Sequence, residues 1–192
     1  MTASARVIGS EPVFPGAPVA WELIDAPITT LADNEVFCFG SNSTGFSGAG
    51  GAGLAMRGDA RNTWRSDAAF LAAMKAPVGS PLRRGKWAVF GVARGPMRGR
   101  EGRSYAVETI VRPGAKRSTP LEVIGAQLVE LAAFAATRPD LVFLVTPLGE
   151  QYSGYSRAEM AGVWASAYAQ RPFPVNLRFV RFGGDRPGLT LT

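Results

Sequence analysis

Apolar positions along the chain fall into runs of two kinds. Short unbroken runs predict buried strands at 35–40 ("EVFCFG"), 86–92 ("KWAVFGV"), 103–111 ("RSYAVETIV"), 141–145 within "DLVFLVTPLG", and 176–182 ("NLRFVRF"). Longer stretches carry apolar residues at helical spacing. One runs from Gly53 to Met74 with a break near Asn62 and Thr63, one from 120 to Pro139, and one over 157–169. Thr119, Pro120 and Glu122 read as a cap, first position and capping-box acid; Ser156 and Glu159 read as a second capping box. The strands at 86–92 and 103–111 are close enough in sequence to form a hairpin around the glycine- and arginine-rich loop 95–102. Pro-rich "EPVFPGAPVA" argues against regular helix near the start.

The resulting order is strand, helix, strand pair, helix, strand, helix, strand. Buried strands alternating with helices imply an α/β protein, with three α/β/α layers around a mostly parallel mixed sheet. Residues 1–32 read as an irregular N-terminal extension, 33–182 as one domain and 183–192 as a tail. A chain of 192 residues with 46% hydrophobic residues suits one such domain. No apolar run reaches the roughly 20 residues of a membrane span. The first residues lack the apolar core of a secretory signal, so a cytoplasmic location is expected.

Composition removes several chemistries. The chain has no histidine, which excludes Ser-His-Asp and Cys-His hydrolysis and any imidazole base. With one cysteine besides, a zinc site is not expected; any metal would have to be a hard ion held by carboxylates and ligand phosphates, and no metal or cofactor is assigned. Cys38 lies in an apolar strand and reads as an inert core residue. Charge is uneven. From Arg83 to Arg117 ten Lys and Arg face two acids, Glu101 and Glu108, a net of +8; outside it eleven basic residues face thirteen acidic ones, a net of −2. Such a patch attracts phosphate, whether on a nucleotide or on nucleic acid.

Two loops stand where ligands lie in such folds, beyond the carboxyl ends of strands. The first, "FGSNSTGFSGAGGAGLA" (39–55), has far more glycine than a turn needs. Glycines leading into a helix start bring bare N–H groups toward an anion. The second is "TPLGEQYSGYS" (146–156). "GAGGAG" (48–53) matches G-x-G-x-x-G only formally, because some eight residues separate it from the strand and the next strand ends without an acid. No Gly-Lys-Ser/Thr is present for a Walker loop, and Ser47 fails the last position of a nucleophile elbow.

"FGSN", "GAGGAGLA", "GRSYAVET" and "FLVTPLGEQYSGYS", in that order, resemble a bacterial and phage branch of the macrodomain superfamily over roughly Asp33 to Phe182. The resemblance implies binding of ADP-ribose or a related nucleotide, in some members with hydrolysis of an ADP-ribosyl bond, and an ADP-ribosylated macromolecule as a partner. Carried over by position, Ser41 and Asn42 flank the ligand, with Asn42 on the distal ribose. Gly48, Ala49, Gly50, Gly51, Ala52 and Gly53 line the diphosphate. Thr146, Leu148, Gly149, Gln151, Tyr152, Ser153, Gly154 and Tyr155 close over its other side, with Tyr155 against the distal ribose or a base. Arg94 and Arg103 are phosphate candidates from the basic segment. Asn42 and Glu150 are the catalytic candidates, Glu150 as an acid/base or water-orienting group. The chain departs from the branch at Ser47, where histidine is common, and at Gln151, where the late loop has its middle glycine. Pro147 and Glu150 are also unusual, and the acid that follows the glycine run in some hydrolytic members is absent. A hydrolase built this way relies on substrate strain, a positioned water and phosphate-assisted chemistry.

Bland readings stand beside these. Asn42 suits a turn, the glycine run suits close helix–sheet packing, Glu150 and the arginines suit a solvated loop, and Tyr152 and Tyr155 suit a core. Trp64, Trp87 and Trp164 read as core. Two rival functions also stand: nucleic-acid binding through the 83–117 patch, and sequestration of a nucleotide signal without turnover.

Overall fold

The computed structural model describes residues 6–26, 28, 31–32, 34–43, 51, 95–97 and 104–183. The backbone alone is described for 95–97. The strands are β1 (Val7–Pro12), β2 (Ala20–Ile24), β3 (Glu35–Asn42), β4 (Gly95–Met97), β5 (Ser104–Ile110), β6 (Val142–Val145) and β7 (Leu177–Phe182). Among the described residues, the full helices are α1 (Leu121–Ala136) and α2 (Arg157–Gln170), with a short 3-10 turn at Gln151–Ser153. The seven strands form one sheet in the order β1-β2-β7-β6-β3-β5-β4. Among the described strands, the five inner ones run parallel, and β1 and β4 flank them antiparallel. This is an α/β fold with a mostly parallel mixed sheet.

Alternation along β3 explains the layers. Val36 and Cys38 join the core beneath α1 and α2, while Phe37 and Phe39 are buried on the opposite face. A strand buried on both faces reads as a continuous apolar run, which is why no polar alternation marks it in the sequence. The helices pack against each other where Gly125 of α1 meets Val163 of α2; an added Cβ would stand 3.6 Å from Val163 Cγ1. The other helical layer, expected from residues 53–74, and the strand expected at 86–92 lie outside the described residues.

Three expectations are corrected. The stretch 1–32 is not irregular throughout: it supplies β1 and β2, and β2 pairs in parallel with β7 through Trp21 and Phe179. Trp21 is buried and meets Phe179 and Trp164 edge-on, with ring centroids 5.4 and 6.1 Å apart. Quadrupoles favour that arrangement, and a ring this large contributes more than propensity does. Prolines punctuate the hairpin without breaking it, since Pro12 ends the edge strand β1. Residues 95–97 are likewise strand, not loop, pairing with 104–106 of β5. Finally, α1 is capped by Pro120 rather than Thr119, with no side-chain cap bond. The Thr119 hydroxyl instead donates to Glu108 Oε1 at 3.4 Å. The capping box of α2 forms as expected: Ser156 accepts from the Glu159 N–H, and the Glu159 carboxylate accepts from the Ser156 N–H.

Asn176, just before β7, fastens the end of the sheet opposite the carboxyl edge. Its Nδ2 group reaches the carbonyls of Ala135, Arg138 and Leu141 at 3.0, 2.9 and 2.9 Å. Among the described residues, no helix is long and apolar enough to cross a membrane.

Candidate functional site

β3 and β6 are parallel neighbours, so their carboxyl ends emerge side by side. From β6 the chain passes through α2 to β7 on one side; the strands described next after β3, β4 and β5, lie on the other. Connections that diverge from adjacent strands leave a crevice between them, the usual ligand position in open α/β sheets. Both glycine-bearing loops of the sequence start at this edge.

Ser41 and Asn42 end β3 and are buried. A bulge separates them: Ser41 pairs with Glu108 of β5, Asn42 with Ile110. Thr109, between these two partners, ties the edge together. Its hydroxyl donates to the Ser41 carbonyl at 3.4 Å and accepts from Ser153 Oγ at 2.8 Å. Gly40 leaves room for it, since a Cβ there would stand 3.1 Å from Thr109 Oγ1. Thr146 closes the β3–β6 junction by donating its N–H and its hydroxyl to the Cys38 carbonyl, at 3.3 and 2.9 Å. Beside Thr109, the Gln127 amide of α1 takes both main-chain groups of Glu108, at 2.7 and 3.0 Å, as a further strand would. The Glu108 carboxylate accepts from Ser43 Oγ at 2.6 Å. Burial pushes the Cys38 thiol far up, so it stays protonated and inert as expected.

The late loop is wound tightly. Gly149, Gln151 and Gly154 have φ of +75°, +50° and +78°. Gly149 is required twice over, because a Cβ would stand 2.6 Å from Met160 Sδ of α2. Gln151, where a glycine was expected from the resemblance, does adopt the left-handed backbone that glycine favours. Leu148 and Ser153 are buried, Leu148 in the core and Ser153 on Thr109. Of the two tyrosines, Tyr155 is the core residue: its hydroxyl donates to the Thr119 carbonyl, and the Arg117 guanidinium lies 4.9 Å over its ring. Its expected place against a ribose or base therefore goes to a side chain already packed. Tyr152 is 65% exposed at the tip. Glu150 has both carboxylate oxygens on the guanidinium of Arg181, at 3.0 and 3.2 Å.

A loop from β5 braces this one. Arg117 donates its N–H to the Ser153 carbonyl at 2.7 Å and Nη1 to the Gly154 carbonyl at 3.3 Å. Its guanidinium also grips Glu159 with both ends, which holds that carboxyl down at about 2. Gly51 is helical and exposed, and a Cβ there would stand 3.9 Å from Phe39 Cβ, ordinary contact. Gly48, Ala49, Gly50, Ala52, Gly53, Arg94 and Arg103 lie outside the described residues.

The structure thus joins Ser41, Asn42, Thr146 and the loop 149–155 at one edge, and turns Leu148, Ser153 and Tyr155 inward. Thr109, Arg117 and Arg181 were missed. Their partners are distant in sequence, 31 positions for Arg181 and Glu150 and 68 for Thr109 and Ser41, and no local pattern records such distances.

No protein-family model matches the chain, and no curated protein matches it. Among solved structures it is similar to the macrodomain of Mycobacterium tuberculosis DarG, at 21% identity over 82% of this chain and 93% of that one, with a TM-score of 0.48. The α/β class stated above rests on the strand pairing itself.

Proposed function

We propose that the chain binds ADP-ribose or a closely related nucleotide in the crevice between the carboxyl ends of β3 and β6. The observation that carries this reading is that two loops leave neighbouring parallel strands at the same carboxyl edge: the glycine-rich segment that follows β3, and a loop after β6 with three left-handed residues. The motif resemblance supplies the ligand class. In this reading Asn42 holds the distal ribose, the amides of 48–53 take the diphosphate, and exposed Tyr152 offers an aromatic face over the crevice. The same site on an ADP-ribosylated macromolecule would take its nucleotide portion. Whether the bond is also cleaved is read by chromatography of products.

Calorimetry with free ADP-ribose tests the proposal. Saturable heat below about 1 mM ligand is expected, and its absence with folded protein rejects the reading. Gly51→Asp should still fold, because its Cβ meets only ordinary contact. Its carboxylate should weaken binding about 100-fold or more, since like charges set face to face cost several kcal/mol.

A further inference from the structure

Arg181, near the carboxyl end of β7, is 4% exposed. Its guanidinium makes a two-pronged bond to Glu150, faces the Trp21 ring at 4.7 Å, and brings Nε within 3.3 Å of Glu11 Oε1 on β1. The last approach is too far off line for a hydrogen bond and is a charge contact. Glu11 also accepts from Arg157 at 3.4 Å, at the start of α2. A buried cation costs several kcal/mol in lost hydration, and an apolar side chain would fill the place as stably. A guanidinium adds direction: its fork fixes one carboxylate in one orientation.

That carboxylate stands at a demanding point. Glu150 lies between Gly149 and Gln151, both left-handed. A non-glycine residue in that region costs about 1–2 kcal/mol and persists only where the surroundings hold it. We propose that Arg181 is a positioning residue for the nucleotide site, acting through Glu150. The fork holds 149–154 in its wound shape from below, and Glu11 extends the hold to β1. Glu150 then anchors the loop and is not the proton carrier. The proposal rests on the site assigned above and deepens it: the N-terminal hairpin becomes part of the scaffold of the crevice.

The loop carries its own reporters. The amides of Ser153, Gly154 and Tyr155 donate to Glu150, Gln151 and Gly149 carbonyls at 3.3, 3.1 and 3.2 Å. Hydrogen exchange at these amides, without ligand, is compared with exchange in α1 for wild type, Arg181→Met, Arg181→Lys and Glu150→Gln. Arg181→Met and Glu150→Gln should each speed loop exchange about tenfold or more while α1 stays protected, and should weaken ADP-ribose about tenfold. Arg181→Lys keeps the charge without the fork and should recover part of both. Combining Arg181→Met with Glu150→Gln should add little to loop exchange beyond either change alone. Arg181→Met leaves Glu150 without its partner and Glu11 with Arg157 alone, so if it fails to fold, Glu150→Gln decides. Unchanged loop exchange in the folded variants overturns the proposal. So does faster exchange with unchanged ADP-ribose affinity. Faster exchange in a protein whose wild type takes up no ADP-ribose upholds the anchor and rejects the ligand reading.

Discussion

Gly149 and Gly114 share a left-handed backbone but not a neighbourhood. At Gly149 a Cβ would press on Met160 Sδ; at Gly114 nothing lies within 4 Å. Alanine at either site pays the steric cost of positive φ, about 1–2 kcal/mol. Gly149→Ala must also displace a thioether from a closed core. Urea unfolding should therefore rank Gly149→Ala below Gly114→Ala in stability, and only Gly149→Ala should lower nucleotide affinity. The glycines announced this much in the sequence, since glycine marks backbone that other residues resist. Gln151 did not announce itself: a left-handed glutamine follows from the brace around it and not from its own chemistry. Tyr152 and Tyr155 are alike in sequence, and only the packing of one under Arg117 separates them.

The start of α2 was legible because capping is local. Ser156 and Glu159 are three residues apart and need only each other. The Arg117 bond, and behind it the Ser156 bonds, hold the Glu159 carboxyl at about 2 instead of 4.5. The unfolded chain therefore binds this proton more readily than the folded one. The resulting stabilisation is full above about pH 4.5 and is lost as pH falls toward 2. Urea midpoints measured across that window should converge for wild type and Glu159→Gln at the acid end and separate above pH 4.5. A constant gap would reject the assignment. Thr119 shows the limit of local reading. Its cap pattern with Pro120 and Glu122 is good, yet the hydroxyl finds Glu108 across the β5 edge and the helix starts without it. Prolines near the start likewise suggested irregular chain, while the register of β2 against β7 made strand of it.

At the scale of the molecule, the hairpin β1–β2 is the test of what belongs to the fold. Trp21 sits in an aromatic cluster with Trp164 and Phe179, whose rings meet near right angles at 84–86°. Trp21→Ala should cost about 3–5 kcal/mol, the range for deleting a buried large aromatic, within one cooperative unfolding transition. A loss under about 1 kcal/mol would return the hairpin to the periphery. The sequence by itself determined the α/β class, the positions of β3, β5, β6 and β7, both described helices and the loops at the carboxyl edge. Each of these is written in spacing, capping or glycine, all of which act over a few residues. Only the tertiary structure decided that 7–24 joins the sheet, that Tyr155 and Ser153 face inward, and that Arg181 grips Glu150. Those outcomes depend on groups 31 to 158 positions apart, as with Glu150 and Arg181 or Trp21 and Phe179, meeting where burial makes each contact count.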